Sequence, residues 1–165
     1  MPVEAATTTI RDAVSADAPL IVKFIGDLAE YEHLAHEAVA TEEDIRRELF
    51  GPAPKVFCQI AEWNGTPAGF ALWYYTFSTF QGQHGIWLED LFVEPQMRGH
   101  GIGKALLVEL ARRCVREGLG RFEWAVLDWN QPSIDFYVAQ GAVFLDEWRR
   151  CRVTGAALDK LGGAR

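Results

Sequence analysis

The segment Leu88-Glu89-Asp90-Leu91-Phe92-Val93-Glu94-Pro95-Gln96-Met97-Arg98-Gly99-His100-Gly101-Ile102-Gly103-Lys104 has a strand–loop–helix pattern. An apolar run meets two adjacent acids, passes through a loop with three glycines, and opens into apolar residues at helical spacing. Glycines let the backbone approach an anion closely, and the N–H groups at a helix start, with the positive end of its dipole, bind it. Two familiar phosphate loops do not fit. A Walker loop needs Gly where Arg98 stands and Ser or Thr where Ala105 stands. A dinucleotide fingerprint needs a third glycine at Leu106, in an early βαβ unit.

Downstream, Ile102, Leu106, Leu110 and Cys114 share one face of a helix over Ile102–Glu117, ended by Gly118. Upstream, Lys55–Trp63 and Ala68–Thr79 flank Asn64-Gly65, a strong hairpin signal, and His84–Val93 follows a turn at Gly82. Thr7–Arg11 reads as a short strand. Ser15-Ala16-Asp17 offers capping oxygens to a helix carrying Leu20, Phe24, Leu28 and Tyr31. Thr41-Glu42-Glu43-Asp44 resembles a capping box for a second helix, which runs through Phe50 and stops at Gly51-Pro52. Beyond the long helix come a strand over Arg121–Asp128, a short helix over Pro132–Gln140 and a final strand over Val143–Val153. This order predicts an α/β fold, a mixed twisted sheet with helices on both faces, in a single domain over 1–165 with an ordered core near 8–160. The first several residues and the Gly162-Gly163-Ala164-Arg165 tail are expected to fray.

The 165 residues are 49% hydrophobic and 24% charged, enough for one core without disulfides or a structural metal. Sixteen Lys and Arg against 23 Asp and Glu give a net charge of −7. That balance argues against nucleic-acid binding and leaves room for a cationic ligand. Cys58, Cys114 and Cys151 form no close pair, which points to a reduced, cytoplasmic setting, with Cys58 and Cys114 as small buried hydrophobes. Met1-Pro2-Val3-Glu4 has no signal-peptide character, and no apolar run is long enough to span a membrane.

Arg98-x-x-Gly101-x-Gly103 matches the R/Q-x-x-G-x-G/A loop of the GNAT superfamily of acyltransferases. The resemblance extends to its diamine (spermidine/spermine) and thialysine N-acetyltransferases. It runs through Leu28-Ala29-Glu30-Tyr31-Glu32, Gly69–Tyr75, Leu88–Val93 and Trp129-Asn130-Gln131-Pro132-Ser133-Ile134-Asp135-Phe136-Tyr137 to Trp148-Arg149. The last two long segments are far more specific than the glycine loop. The resemblance implies acetyl-CoA as donor, with the pantetheine arm on the backbone of Leu91, Phe92 and Val93. The pyrophosphate would lie on Arg98, Gly99, His100, Gly101, Ile102, Gly103 and Lys104. Asn130, Pro132 and Ser133 supply a second cofactor contact. It further implies a homodimer.

Acetyl transfer to an amine needs a neutral amine, a stabilised oxyanion and a protonated leaving thiolate. Deprotonating an alkyl ammonium of pKa near 10.4 at neutral pH costs about 4–5 kcal/mol. A carboxylate close to the amine takes that proton, directly or through one water. Glu89 and Asp90 end a strand beside the loop, with side chains expected on opposite faces. The resemblance makes Glu89 the general base and Tyr137, seven residues after Asn130, the general acid at the CoA sulfur. A backbone N–H of Leu91–Val93 is the expected oxyanion donor. Tyr31 and Glu32 match positions near the amine; Glu89 and Asp90 are expected to contact it too, and an acid at Asp146 or Glu147 would complete the cation-binding wall. The shortened Gly141–Trp148 segment, and Phe80 where diamine enzymes tend to carry Trp, leave the acceptor open. It is a polyamine or diamine first, then thialysine or a similar side-chain amine, reached by direct attack in a ternary complex. A catalytically silent CoA-binding module and a protein-directed acetyltransferase are the competing classes.

Other features read more plainly. His33 and His36 lack a third ligand, so no metal is expected. The six Trp are read as core. Arg112, Arg113 and Arg116 are read as a solvated helix face, with a 3′-phosphate contact as the alternative.

Overall fold

Asn64 and Gly65 both take positive φ, 51° and 78°, which gives the tight two-residue turn joining β2 (Phe57–Trp63) to β3 (Thr66–Ser78). In this computed structural model, which describes residues 6–163, β3 returns through a turn at Gly82 into β4 (Gln83–Val93). With β1 (Thr8–Asp12) and β5 (Arg121–Trp124), these strands form one sheet in the order β1-β2-β3-β4-β5. All neighbours run antiparallel except β4 and β5, which are parallel, so the sheet is mixed as predicted. The segment Met1-Pro2-Val3-Glu4, expected to carry no signal peptide, and Ala164-Arg165, expected to fray, lie outside the described residues.

Strand register sorts the side chains onto two faces. Arg11, Cys58, Ile60, Phe70, Leu72 and Phe92 share one face; Asp12, Gln59, Ala71 and Trp73 share the other. The first face is covered by α1 (Ala18–Tyr31) and α2 (Glu42–Phe50), whose Ala18, Ile21, Phe24, Ile45 and Leu49 join its apolar core. The rings of Phe24 and Phe70 stack at 5.4 Å. Thr41 caps α2 as expected: its hydroxyl accepts from the Asp44 N–H, and its own N–H donates to Asp44 at 2.9 Å. Asp17 does not cap α1. Its carboxylate instead accepts two bonds from the Arg11 guanidinium, at 2.7 and 2.9 Å, a charge-assisted pairing.

The opposite face packs on α3 (Ile102–Glu117), which buries Ile102, Leu106, Leu107, Leu110 and Cys114. Arg113 departs from the solvated reading. Its guanidinium lies 5.1 Å over the buried Trp73 ring and pairs with Asp12 and Glu117. Arg113 Nε, Trp73 Nε1 and the side-chain amide oxygen Oε1 of Gln59 are buried there without hydrogen-bond partners.

The chain forms two compact units, Met1–Leu127 and Asp128–Arg165. The second carries α4 (Gln131–Ala139) and α5 (Gly155–Leu161). Two sequence expectations are corrected here. The strand expected over Arg121–Asp128 ends at Trp124, and the final strand over Val143–Val153 is absent. A strand needs a ladder partner for its backbone groups, and the second unit contains no other strand among its described residues. Val143, Phe144 and Leu145 are consequently exposed, as are Trp129 and Trp148, which the sequence placed in the core. The short α5, rich in Ala and Leu, was not anticipated.

Candidate active site

The two adjacent acids, Glu89 and Asp90, do not end the strand; they lie inside β4, at a bulge. Leu72 pairs with Asp90 while the next residue, Trp73, pairs with Leu88, so Glu89 is the extra residue of β4. The insertion resets the alternation. Asp90 faces the same side as Leu72, and Trp87, opposite Tyr74, faces that side too. The Trp87 indole N–H donates to the Glu89 carboxylate at 2.8 Å, drawing Glu89 to this face. The expectation of opposite faces assumed an unbroken pleat, and the bulge overturns it.

Electrostatics follow from this crowding. Burial, then the charges of Glu89 and Glu32, push the Asp90 carboxyl up to about 7. Burial also pushes up the Glu32 carboxyl, at the C-terminal end of α1. Three carboxyls with one proton titrating near neutrality form a place where a cation is strongly favoured and a base is poised to work.

The donor side is built by the next residues. β5 pairs with β4 only from Gly85 to Leu88, so among the described residues no strand continues along the outer edge of Glu89–Val93. That edge offers N–H and C=O groups to an extended amide chain, in the manner of an added strand. Gly99 and Gly101 hold φ of 82° and 76°, a left-handed backbone that glycine adopts without penalty. No atom lies within 4 Å of where a Cβ would stand at either, so the loop surface is open. Gly101 caps α3, whose first N–H groups, at Ile102, Gly103 and Lys104, face the loop without intrahelical acceptors. These features fit a pyrophosphate and a pantetheine arm.

Arg98 donates from Nε to the Val93 carbonyl at 3.0 Å. Its guanidinium lies 5.1 Å over the Tyr31 ring and 5.8 Å over that of Phe92. His100 packs on Trp63 at 4.5 Å, with Nδ1 3.1 Å from the Met97 carbonyl. Tyr31, Glu32, Glu89, Asp90, Leu91, Phe92, Val93 and the loop through Lys104 therefore belong to the first unit. Asn130, Pro132, Ser133, Tyr137, Asp146 and Glu147 belong to the second. There Asn130, 4% exposed, caps α4 by accepting from the Ser133 N–H at 3.4 Å. Tyr137 is buried against Phe136, while Asp146 and Glu147 are exposed on a turn. Trp87 and Trp63 were not singled out from sequence. The Trp87-x-Glu89 spacing, two residues along a strand, was the available signal.

A match to the model of the acetyltransferase (GNAT) family covers residues 23–142. The chain belongs to the GNAT family. It is an N-acetyltransferase that takes acetyl-CoA as donor and an amine as acceptor, as its fold and loop led us to expect. It is 36% identical to the thialysine N-epsilon-acetyltransferase of Mus musculus, over 96% of this chain and 99% of that one. It is 32% identical to the L-ornithine N5-acetyltransferase NATA1 of Arabidopsis thaliana, over 92% of this chain and 86% of that protein. Among solved structures, the integron cassette protein VCH_CASS6 from the mobile metagenome of V. cholerae superposes with a TM-score of 0.79 at 25% identity, over 94% of this chain and 97% of that one.

Proposed function

We propose that this GNAT enzyme acetylates the terminal primary amine of a small cationic molecule, with the amine drawn in by Glu32, Glu89 and Asp90. The raised Asp90 carboxyl, about 7, is the observation that carries this reading. It supports a division of labour within the pair. Glu89, oriented by Trp87, attracts the ammonium, and Asp90 accepts its proton. Glu89 was the base expected from sequence; the bulge gives Asp90 the stronger claim.

The donor is acetyl-CoA, held by the free edge of Leu91–Val93, by Arg98 and by the N–H groups at the start of α3. Tyr137 is the proposed acid for the leaving thiolate, with Asn130, Pro132 and Ser133 as further cofactor contacts. Direct attack in a ternary complex is favoured because burial pushes the thiols of Cys58 and Cys114 up, away from the thiolate that an acetyl-cysteine route needs. Among acceptors, the relatives move side-chain amines such as thialysine and ornithine ahead of the polyamines expected first from sequence. The polyamine reading is retained because the chain is 33% identical to part of the spermidine/spermine N(1)-acetyltransferase-like protein 1 of Homo sapiens, over 82% of this chain and 20% of that protein. A cytoplasmic location and a homodimer belong to the same proposal.

The deciding experiment incubates the enzyme with acetyl-CoA and a panel of thialysine, ornithine, putrescine, spermidine and a lysine peptide, read by mass spectrometry. We expect acetylated free amines, led by the amino-acid side chains. Product on the peptide alone would replace this reading with a protein-directed enzyme. Acetyl-CoA binding without product would leave only a CoA-binding module. A Tyr137→Phe variant with unchanged turnover across pH would remove Tyr137 as the acid.

A further inference from the structure

The last turn of α1 faces both halves of the reaction. Tyr31 lies under the Arg98 guanidinium, on the cofactor side, while the next residue, Glu32, adds its charge to the field at Asp90, on the amine side. The same helix is tied to the entrance of the glycine loop by Lys23, which pairs with Glu94 at 2.6 Å. Arginine suits such a junction because its two recognition modes are geometrically independent. The planar face stacks on aromatic rings, while the in-plane N–H fork is free to engage a phosphate. Arg98 sets its guanidinium over the rings of Tyr31 and Phe92 and gives its Nε–H to the Val93 carbonyl, which leaves the two terminal nitrogens as the phosphate-directed edge. An anion that fixes this edge fixes the guanidinium plane, and with it the Tyr31 ring and the backbone that carries Glu32.

We infer that Tyr31 is a positioning residue through which Arg98 couples the acetyl-CoA site to the amine site, so that each ligand tightens the other. The inference rests on the acetyltransferase reading above. Coupling is reciprocal: whatever factor the cofactor applies to amine affinity, the amine applies to cofactor affinity. The aromatic face is the required element, not the phenol oxygen. Replacement by a ring without the hydroxyl therefore preserves coupling, and replacement by an aliphatic side chain abolishes it.

The test is calorimetric titration of the enzyme with CoA, which cannot transfer acetyl, alone and at saturation with the best acceptor from the amine panel. Saturation separates coupling from any direct loss of amine affinity. In the native enzyme we expect the amine to tighten CoA binding at least about 5-fold, the lower end of typical couplings. Tyr31→Phe keeps that factor. Tyr31→Leu brings it close to 1, whatever the change in affinity for CoA alone. Should Tyr31→Leu fail to fold, Arg98→Lys takes its place, because it keeps the charge and removes the planar face; it too should bring the factor near 1. A native factor of 1, or an undiminished factor in Tyr31→Leu or Arg98→Lys, overturns the coupling. Absence of CoA binding to the native enzyme overturns the acetyltransferase reading instead.

Discussion

Asp90 carries the sharpest consequence for a single residue. Its carboxyl holds a proton more tightly in the folded protein than in the unfolded chain, so folding is favoured below about pH 4 relative to neutrality. Stability contributed at this position falls as pH rises through 4 to 7. Asp90→Asn removes that penalty. Chemical denaturation should find the variant more stable than the parent by up to about 4 kcal/mol at pH 8 and little different at pH 4. Its kcat/KM should fall at least about 100-fold, within the range typical of general-base loss, and lose the acid limb near pH 7. A variant that keeps that limb assigns the limb to another group. At the loop, Gly101→Ala meets no neighbouring atom, so its cost is the left-handed backbone alone, about 1 kcal/mol. The displaced N–H groups at the start of α3 should raise KM for acetyl-CoA several-fold with little change in kcat, measured in initial-rate assays.

Among the elements, β4 places most of the functional groups. It was legible as a strand from its apolar run, and α3 was legible from its stripe and its Gly118 stop. The bulge at Glu89 was not, because it follows from the pairing of β4 with β3, a relation between segments separated in sequence. The same holds for the early end of β5, which frees the edge of Leu91–Val93. On the other face of the sheet, Gln59 on β2 is 2% exposed and its side-chain amide oxygen has no partner. Burying an unpaired acceptor costs about 1–3 kcal/mol, which an apolar side chain of similar size avoids. Gln59→Leu should therefore raise the unfolding free energy by about 1 kcal/mol in urea titrations without altering turnover. A loss of stability would show that the amide is satisfied in solution.

For the molecule as a whole, ligand binding and folding are linked, because the loop, the β4 edge and α3 exist as a site only in the folded state. Acetyl-CoA at about 100 times its Kd should add about 2.7 kcal/mol to the stability of the unit that binds it. A thermal melt in the presence of CoA should move upward accordingly. An unmoved transition would mean that the loop does not bind the cofactor.

Hydrophobic periodicity, turn chemistry and the Arg98–Lys104 loop were enough to identify the family, the donor and nearly every regular element, because each depends on residues close together in the chain. The final strand was misjudged for the same reason: Val143–Val153 has suitable side chains, but a strand exists only when another segment pairs with it. The side of the sheet on which Glu89 and Asp90 lie, the upward push on the Asp90 carboxyl, the burial of Arg113 over Trp73 and the placing of Arg98 over Tyr31 were decided by the tertiary structure. Each is a field or a contact between residues that only the packed sheet brings within reach.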